Sequence, residues 1–235
     1  MWTQLKSALV THTRSRKCSS PAIADVQVLE TRALLAGNVS VSMQGDNVLL
    51  KGDSRANSIS ITTVAEGVQI LGTRGTFVNN SPFMLIPNTE IGNMDFRMKG
   101  GNDTVVLVAD VGGNVTGRMG PGSDTFSVTA SIGGDLSVKT GSAIPGTADV
   151  VSVSASTITG DTNIKGGGGR QRVVVNASQF VGDTAISLGG GNDLFEVSTT
   201  LFGGGLNANG GGGGKDVFVW APLVNPPSRN FETVI

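Results

Sequence analysis

From residue 92 onward the apolar and polar positions of this chain recur in a fixed order. A Gly-rich turn, an acidic residue and a short apolar run repeat as GGNDTVVL from Gly100, GPGSDTFSV from Gly120, GTADVVSV from Gly146, GGGNDLFEV from Gly189 and GGGGKDVFV from Gly211. The acidic position falls at Asp103, Asp124, Asp149, Asp193 and Asp216. Arg172 in GGGGRQRVVV fills the gap between Asp149 and Asp193, so that successive steps are 21, 25, 23, 21 and 23 residues. Halfway between these turns lies a second element whose polar position is Asn93, Asn114, Asp135, Asp161, Asp183 and Gly205. A third apolar column, Val111, Ile132, Ile158, Phe180 and Phe202, separates the two. Self-similarity at a fixed period is the mark of a repeat architecture.

The strand period says what each repeat builds. Two and four residues past the acidic position stand Val105 and Leu107, Phe126 and Val128, Val151 and Val153, Val174 and Asn176, Phe195 and Val197, Phe218 and Trp220. Residues i and i+2 share one face of a strand. A run of four or five residues cannot bury that face alone, whereas stacked copies make a continuous inner column and pair every strand above and below. The predicted fold is an all-β parallel β-helix solenoid of about eight coils of ~22 residues, right-handed by the crossover rule. Residues 1–35 form a basic N-terminal tail, 36–91 irregular starting coils, 92–222 the regular β-helix repeats and 223–235 a C-terminal tail. A hairpin is expected around Val39 to Leu50, and Asn57 and Asn80 extend the acidic column backwards, 46 and 23 residues before Asp103. Pro222, Pro226 and Pro227 are expected to stop pairing at the far edge.

Composition narrows the function classes. Gly supplies 35 of 235 residues and charged residues only 15%, while 38% hydrophobic residues suffice for a core; the balance disfavours both a helical bundle and disorder. Residues 1–22 carry Lys6, Arg14, Arg16 and Lys17 with no acid, a local charge of +4, which leaves −5 on the remainder of a chain of net charge −1. Along the linear sequence there is no basic stripe with interleaved aromatics and no Tyr, so nucleic acid is not an expected partner. The longest apolar stretches, Thr104–Ala109 and Val217–Val224, fall far short of the ~20 residues of a transmembrane segment. Cys18 is the lone cysteine, which excludes an internal disulfide and a cysteine-based zinc site. The lone histidine, His12, stands in the tail, away from any folded Ser-His-Asp arrangement. Gly214 and Lys215 are followed by Asp216, not by the hydroxyl residue of a Walker loop.

Val26 to Gly37 reads VQVLETRALLAG and resembles the N-terminal segment of exported planctomycete proteins, whose motif is close to LEPRxLLxG. Leu29, Glu30, Arg32, Leu34, Leu35 and Gly37 match, with Thr31 where the family has Pro. Residues Gly92 to Trp220 are similar to the VGGDLxI…GGxGNDTVxV repeats of planctomycete surface proteins. These resemblances imply an exported, cell-surface or extracellular protein, non-catalytic and structural or adhesive, with a surface protein or a polysaccharide as partner.

The GGND turns also resemble in part the RTX calcium-binding nonapeptide GGxGxDxUx. Gly100, Gly101, Asp103 and Val105 match, as do Gly190, Gly191, Asp193 and Phe195, but once per ~22 residues instead of in tandem. That resemblance implies calcium-binding residues at Asp103, Asp124, Asp149, Asp193 and Asp216, with Ca2+ as the cofactor. Two readings of these residues stand side by side: turn formers that use Asx hydrogen bonds, or carboxylates relieved by calcium. Carboxylates about 5 Å apart on adjacent coils repel by roughly 3 kcal/mol at an effective dielectric of 20. A further alternative is a polysaccharide lyase, since many β-helices resemble pectate lyases that set calcium on carboxylates beside an Arg base. Asp149, Arg172 and Asp193 form the cluster for that chemistry; the short connections throughout speak against a substrate cleft.

Overall fold

The computed structural model describes residues 37–87, 90–221, 228–229 and 233–234. The basic tail and the LEPRxLL-like segment, with His12 and Cys18, lie outside the described residues. The fold is an all-β, mostly parallel β-solenoid, consistent with a right-handed β-helix. Each regular coil gives one strand to each of two ten-stranded sheets. The first sheet stacks Met94–Arg97, Val115–Arg118, Leu136–Lys139, Thr162–Lys165, Thr184–Ser187 and Leu206–Asn209. The second stacks Thr104–Leu107, Thr125–Val128, Ala148–Ser154, Arg170–Asn176, Leu194–Ser198 and Val217–Trp220. A third, four-stranded sheet of two-residue strands carries Ile132, Ile158, Phe180 and Phe202 in register, the column expected between the two turns.

The regular coils number about six rather than eight. The difference lies in residues 38 to 87, where the chain folds as antiparallel hairpins instead of completing coils. Asn38–Gln44 pairs with Asn47–Lys51, and Ser58–Val64 with Gly67–Gly72, which in turn pairs with Phe83–Pro87. One strand of each of the first two hairpins then docks in parallel on the first regular coil, Asn47–Lys51 on Met94–Arg97 and Ser58–Val64 on Thr104–Leu107. The open edges of both sheets are thereby blunted at this end. At the other end Ser228–Arg229 and Thr233–Val234 add short parallel strands to the two sheets, so pairing continues beyond the prolines.

The core is the set of inner columns. In the second sheet Val105, Phe126, Val151, Val173, Phe195 and Phe218 face inward and are buried. Equal register puts like side chains one coil apart, so aromatic rings stack: Phe195 on Phe218 with centroids 4.7 Å apart, and Phe180 on Phe202 at 5.2 Å. Gly117 makes room for a further ring, since a Cβ there would meet Phe126 at 2.9 Å. Phe126 in turn sets its ring edge-on to Phe96. Turns impose their own chemistry: Gly120, at φ +97°, leaves no room for a Cβ against the Lys99 carbonyl of the coil below.

Candidate functional site

The alternation that puts Val105 and Leu107 inside also puts Asp103 inside, because it stands just before the strand Thr104–Leu107 on the same parity. Asp103, Asp124, Asp149, Asp193 and Asp216 are all buried. They do not project from the turns into water. Each carboxylate leans back toward the preceding coil, and its Oδ1 accepts the amide of the equivalent residue there. Asn57 N–H donates to Asp103 at 2.7 Å, Asp103 N–H to Asp124 at 2.8 Å, and Asp124 N–H to Asp149 at 3.0 Å. The series resumes with Gln171 N–H to Asp193 at 2.7 Å and Asp193 N–H to Asp216 at 2.9 Å. Asn57, anticipated as a remnant of the column, heads this ladder. Its amide nitrogen adds a second hydrogen bond to Asp103, at 3.2 Å.

The residue that fills the gap between Asp149 and Asp193 is Gln171, not Arg172. Asp149 lies opposite Gln171 and Val150 opposite Arg172 in the ladder of strands. The inner residues of that coil are accordingly Val173 and Val175, whereas Val174 is half-buried and Asn176 is exposed. The one-residue shift turns Arg172 to the outer face and leaves the neutral Gln171 between the two buried carboxyls. Arg172 instead pairs with Glu196 at 2.6 Å on the outer face. Asp149, Arg172 and Asp193 therefore do not converge into the lyase-like cluster.

Burial dominates the electrostatics of the inner ladder. It pushes Asp103 and Asp193 up to about 6 and Asp124 up to about 7, against the pull of the donated amides. Asp124 also feels the charges of Asp103 and Asp149 on either side. Asp149 is raised too, again chiefly by burial. The second oxygens of Asp103, Asp124 and Asp193 are buried without a hydrogen-bond partner. Calcium takes six to eight oxygen ligands. The inner ladder presents one acidic side chain per coil where it presents any, and the Oδ1 of each is already engaged by an amide. Among the described residues no three His, Cys, Asp or Glu side chains gather into a group that could hold a metal ion.

A second ladder runs along the outside with the opposite polarity. Here the side chain of one coil accepts the amide of the next: Asn93 from Asn114 N–H at 2.7 Å, Asn114 from Asp135 N–H at 2.7 Å and Asp135 from Asp161 N–H at 2.8 Å. Asp161 and Asp183 continue it to Gly205. Its members are exposed, and they tie the turns that enter the first sheet.

A third device escaped the sequence reasoning. Ser156 and Ser178, both buried, follow Ala155 and Ala177, which sit at φ +48° and +47°. Ser156 Oγ donates to the Ser154 carbonyl at 2.9 Å, and Ser178 Oγ to the Asn176 carbonyl at 2.8 Å. The one signal for this corner was a small hydroxyl residue, Ser156, Ser178 and Thr200, recurring at the close of three second-sheet runs.

On the outer face of the first sheet, beside the exposed amides, lies an open groove of about 620 Å³. Gln44, Asn47, Asn93, Asn114 and Thr116 supply polar lining, and Asp95 a carboxylate. Among the described residues no helix is long and apolar enough to cross a membrane. No protein-family model matches the chain, and no curated protein or solved structure matches it either.

Proposed function

We propose that this chain is a non-catalytic structural or adhesive β-helix that works outside the cell, at the cell surface or in the extracellular matrix. The observation that carries this reading is the commitment of the acidic turns to coil-to-coil hydrogen bonding. Carboxylates spent in that way serve the fold, and the flat outer faces of the sheets are left to serve contact. The resemblance of the N-terminal segment and of the repeats to exported planctomycete surface proteins supports the extracellular setting. Two assays test the reading. The purified chain, incubated with a panel of neutral and acidic polysaccharides, is expected to release no reducing ends and no unsaturated uronate; turnover of any polymer would return the carbohydrate-active alternative. Fractionation of the cells that make the chain is expected to place it outside the cytoplasm, and a purely cytoplasmic signal would defeat export.

The unpartnered second oxygens of Asp103, Asp124 and Asp193 favour one alternative, a calcium-binding module similar to the RTX repeats. Thermal unfolding with millimolar calcium and then with a chelator separates the two. A midpoint raised by calcium supports ion binding at the inner ladder, whereas an unchanged midpoint leaves the ladder held by amides and protons alone.

A further inference from the structure

We propose that the outer face of the first sheet binds a linear acidic polysaccharide along a column of basic side chains. The proposal rests on the adhesive reading above and supplies its partner class. Strand register, not proximity in sequence, builds the column. Lys51 lies opposite Arg97, Arg97 opposite Arg118, Arg118 opposite Lys139, and Lys139 opposite Lys165. Five successive layers thus place a cation at one position, and all five side chains are exposed. With layers about 4.8 Å apart the column runs for about 19 Å. Ser187 and Asn209 occupy the same position in the last two regular coils, so the unbroken run of cations stops at Lys165.

Neutralisation of this column within the chain is partial. Asp95 pairs with Arg97 at 2.6 Å and with Arg118 at 2.8 Å. Lys51, Lys139 and Lys165 have no ion pair among the described residues. On a chain whose net charge is −1, such a line of cations is a local inversion of sign, and an anionic partner is drawn to it.

The surroundings select among polyanions. Two residues earlier on the same strands, Thr116, Ser137 and Asn163 line up beside Arg118, Lys139 and Lys165. The groove adjoins this row at Thr116 and at Asp95, whose carboxylate is taken up by Arg97 and Arg118. Hydroxyl and amide side chains in a flat, repeating array complement sugar hydroxyls, while the cations complement a carboxylate or sulfate that recurs every ~5 Å along a polymer. The strands of the regular coils present no outward aromatic ring on this face, so the stacking that holds single-stranded nucleic acid has no platform here.

The test uses the full chain and polygalacturonate, with amylose as the neutral polymer and poly(dT) as the nucleic acid. Polygalacturonate is expected to bind in a salt-sensitive manner, and amylose not to bind. The double variant Lys139→Gln, Lys165→Gln is expected to bind about tenfold more weakly at low salt. The charge-matched control Arg74→Gln, Lys215→Gln, outside the column, should bind as the native chain does. Melting curves of both variants check that the fold persists. Equal affinity of the two double variants would overturn the proposal, because the basic N-terminal tail would then account for binding. Tighter binding of poly(dT) than of polygalacturonate would overturn it in favour of nucleic acid. Degradation of polygalacturonate would defeat the non-catalytic reading without touching the column, whereas absence of both binding and degradation would defeat the column alone.

Discussion

A carboxylate enclosed in a solenoid is tolerated here because each one replaces water with a backbone amide of the neighbouring coil. Asp124 shows the balance most clearly, since it accepts Asp103 N–H at 2.8 Å while standing between two other buried carboxyls. The head of the ladder shows what a neutral member looks like, for Asn57 occupies the same inward column without a charge. Asp124→Asn keeps an acceptor oxygen for the Asp103 amide and removes the buried charge. At pH 8 this variant is expected to melt above the native chain; at pH 4.5, where Asp124 carries its proton, the two should coincide. Asp124→Ala also removes the acceptor and leaves a buried amide unsatisfied, which costs about 1–3 kcal/mol relative to Asp124→Asn at either pH. Urea unfolding of the three proteins measures these differences, and a native chain more stable than the Asn variant at pH 8 would contradict a charge held at a cost.

At the scale of one strand, stability is a matter of parity. Val151 is buried in the inner column and its neighbour Ser152 points outward. Val151→Asp buries a carboxylate among Phe126, Val173 and other apolar side chains and is expected to abolish folding, whereas Ser152→Asp should stay within about 0.5 kcal/mol of the native chain. Far-UV circular dichroism and unfolding midpoints of the pair decide this; equal stability would refute the register. The same parity marks how far the sequence could be read. It placed the apolar columns of Val105, Phe126, Val151, Phe195 and Phe218, and it also held the burial of the Asp residues, which sit two positions earlier on the same face. Glycine and acid in one turn pointed to Asx turns or to calcium instead. In the coil of GGGGRQRVVV, alignment by charge pointed to Arg172, while alignment by inward apolar residues points to Gln171, Val173 and Val175. The basic column was illegible for a different reason: its members stand 46, 21, 21 and 26 residues apart, and only the stacked register makes them neighbours. The hairpin expected around Val39 to Leu50 is present, while the second, Ser58–Val64 with Gly67–Gly72, lay beyond the repeat pattern because its antiparallel pairing follows a local turn and not the coil period.

Across the whole set of coils these buried carboxyls add up to a dependence of stability on pH. In the unfolded chain an Asp loses its proton near pH 3.9. In the fold Asp103 and Asp193 hold theirs to about 6 and Asp124 to about 7. Between those limits the folded state binds more protons than the unfolded one, so stability falls as pH rises. The contribution is complete below about pH 4 and is lost as pH climbs through 6 to 7, each group being worth on the order of a few kcal/mol. Asp53 acts in the opposite sense. The amides of Arg55 and Asn38 donate to it at 2.9 and 3.0 Å and hold its carboxyl below the ordinary value despite the cost of burial, so its contribution is lost as pH falls through the acid range. One such group against at least three of the other kind places maximal stability on the acid side of neutrality. The expected outcome is a melting midpoint higher at pH 5 than at pH 8 in chelator at constant ionic strength, with the difference reduced in Asp124→Asn. A midpoint that rises from pH 5 to pH 8 would mean that the inner carboxylates are better satisfied as anions than their burial and single amide partners allow.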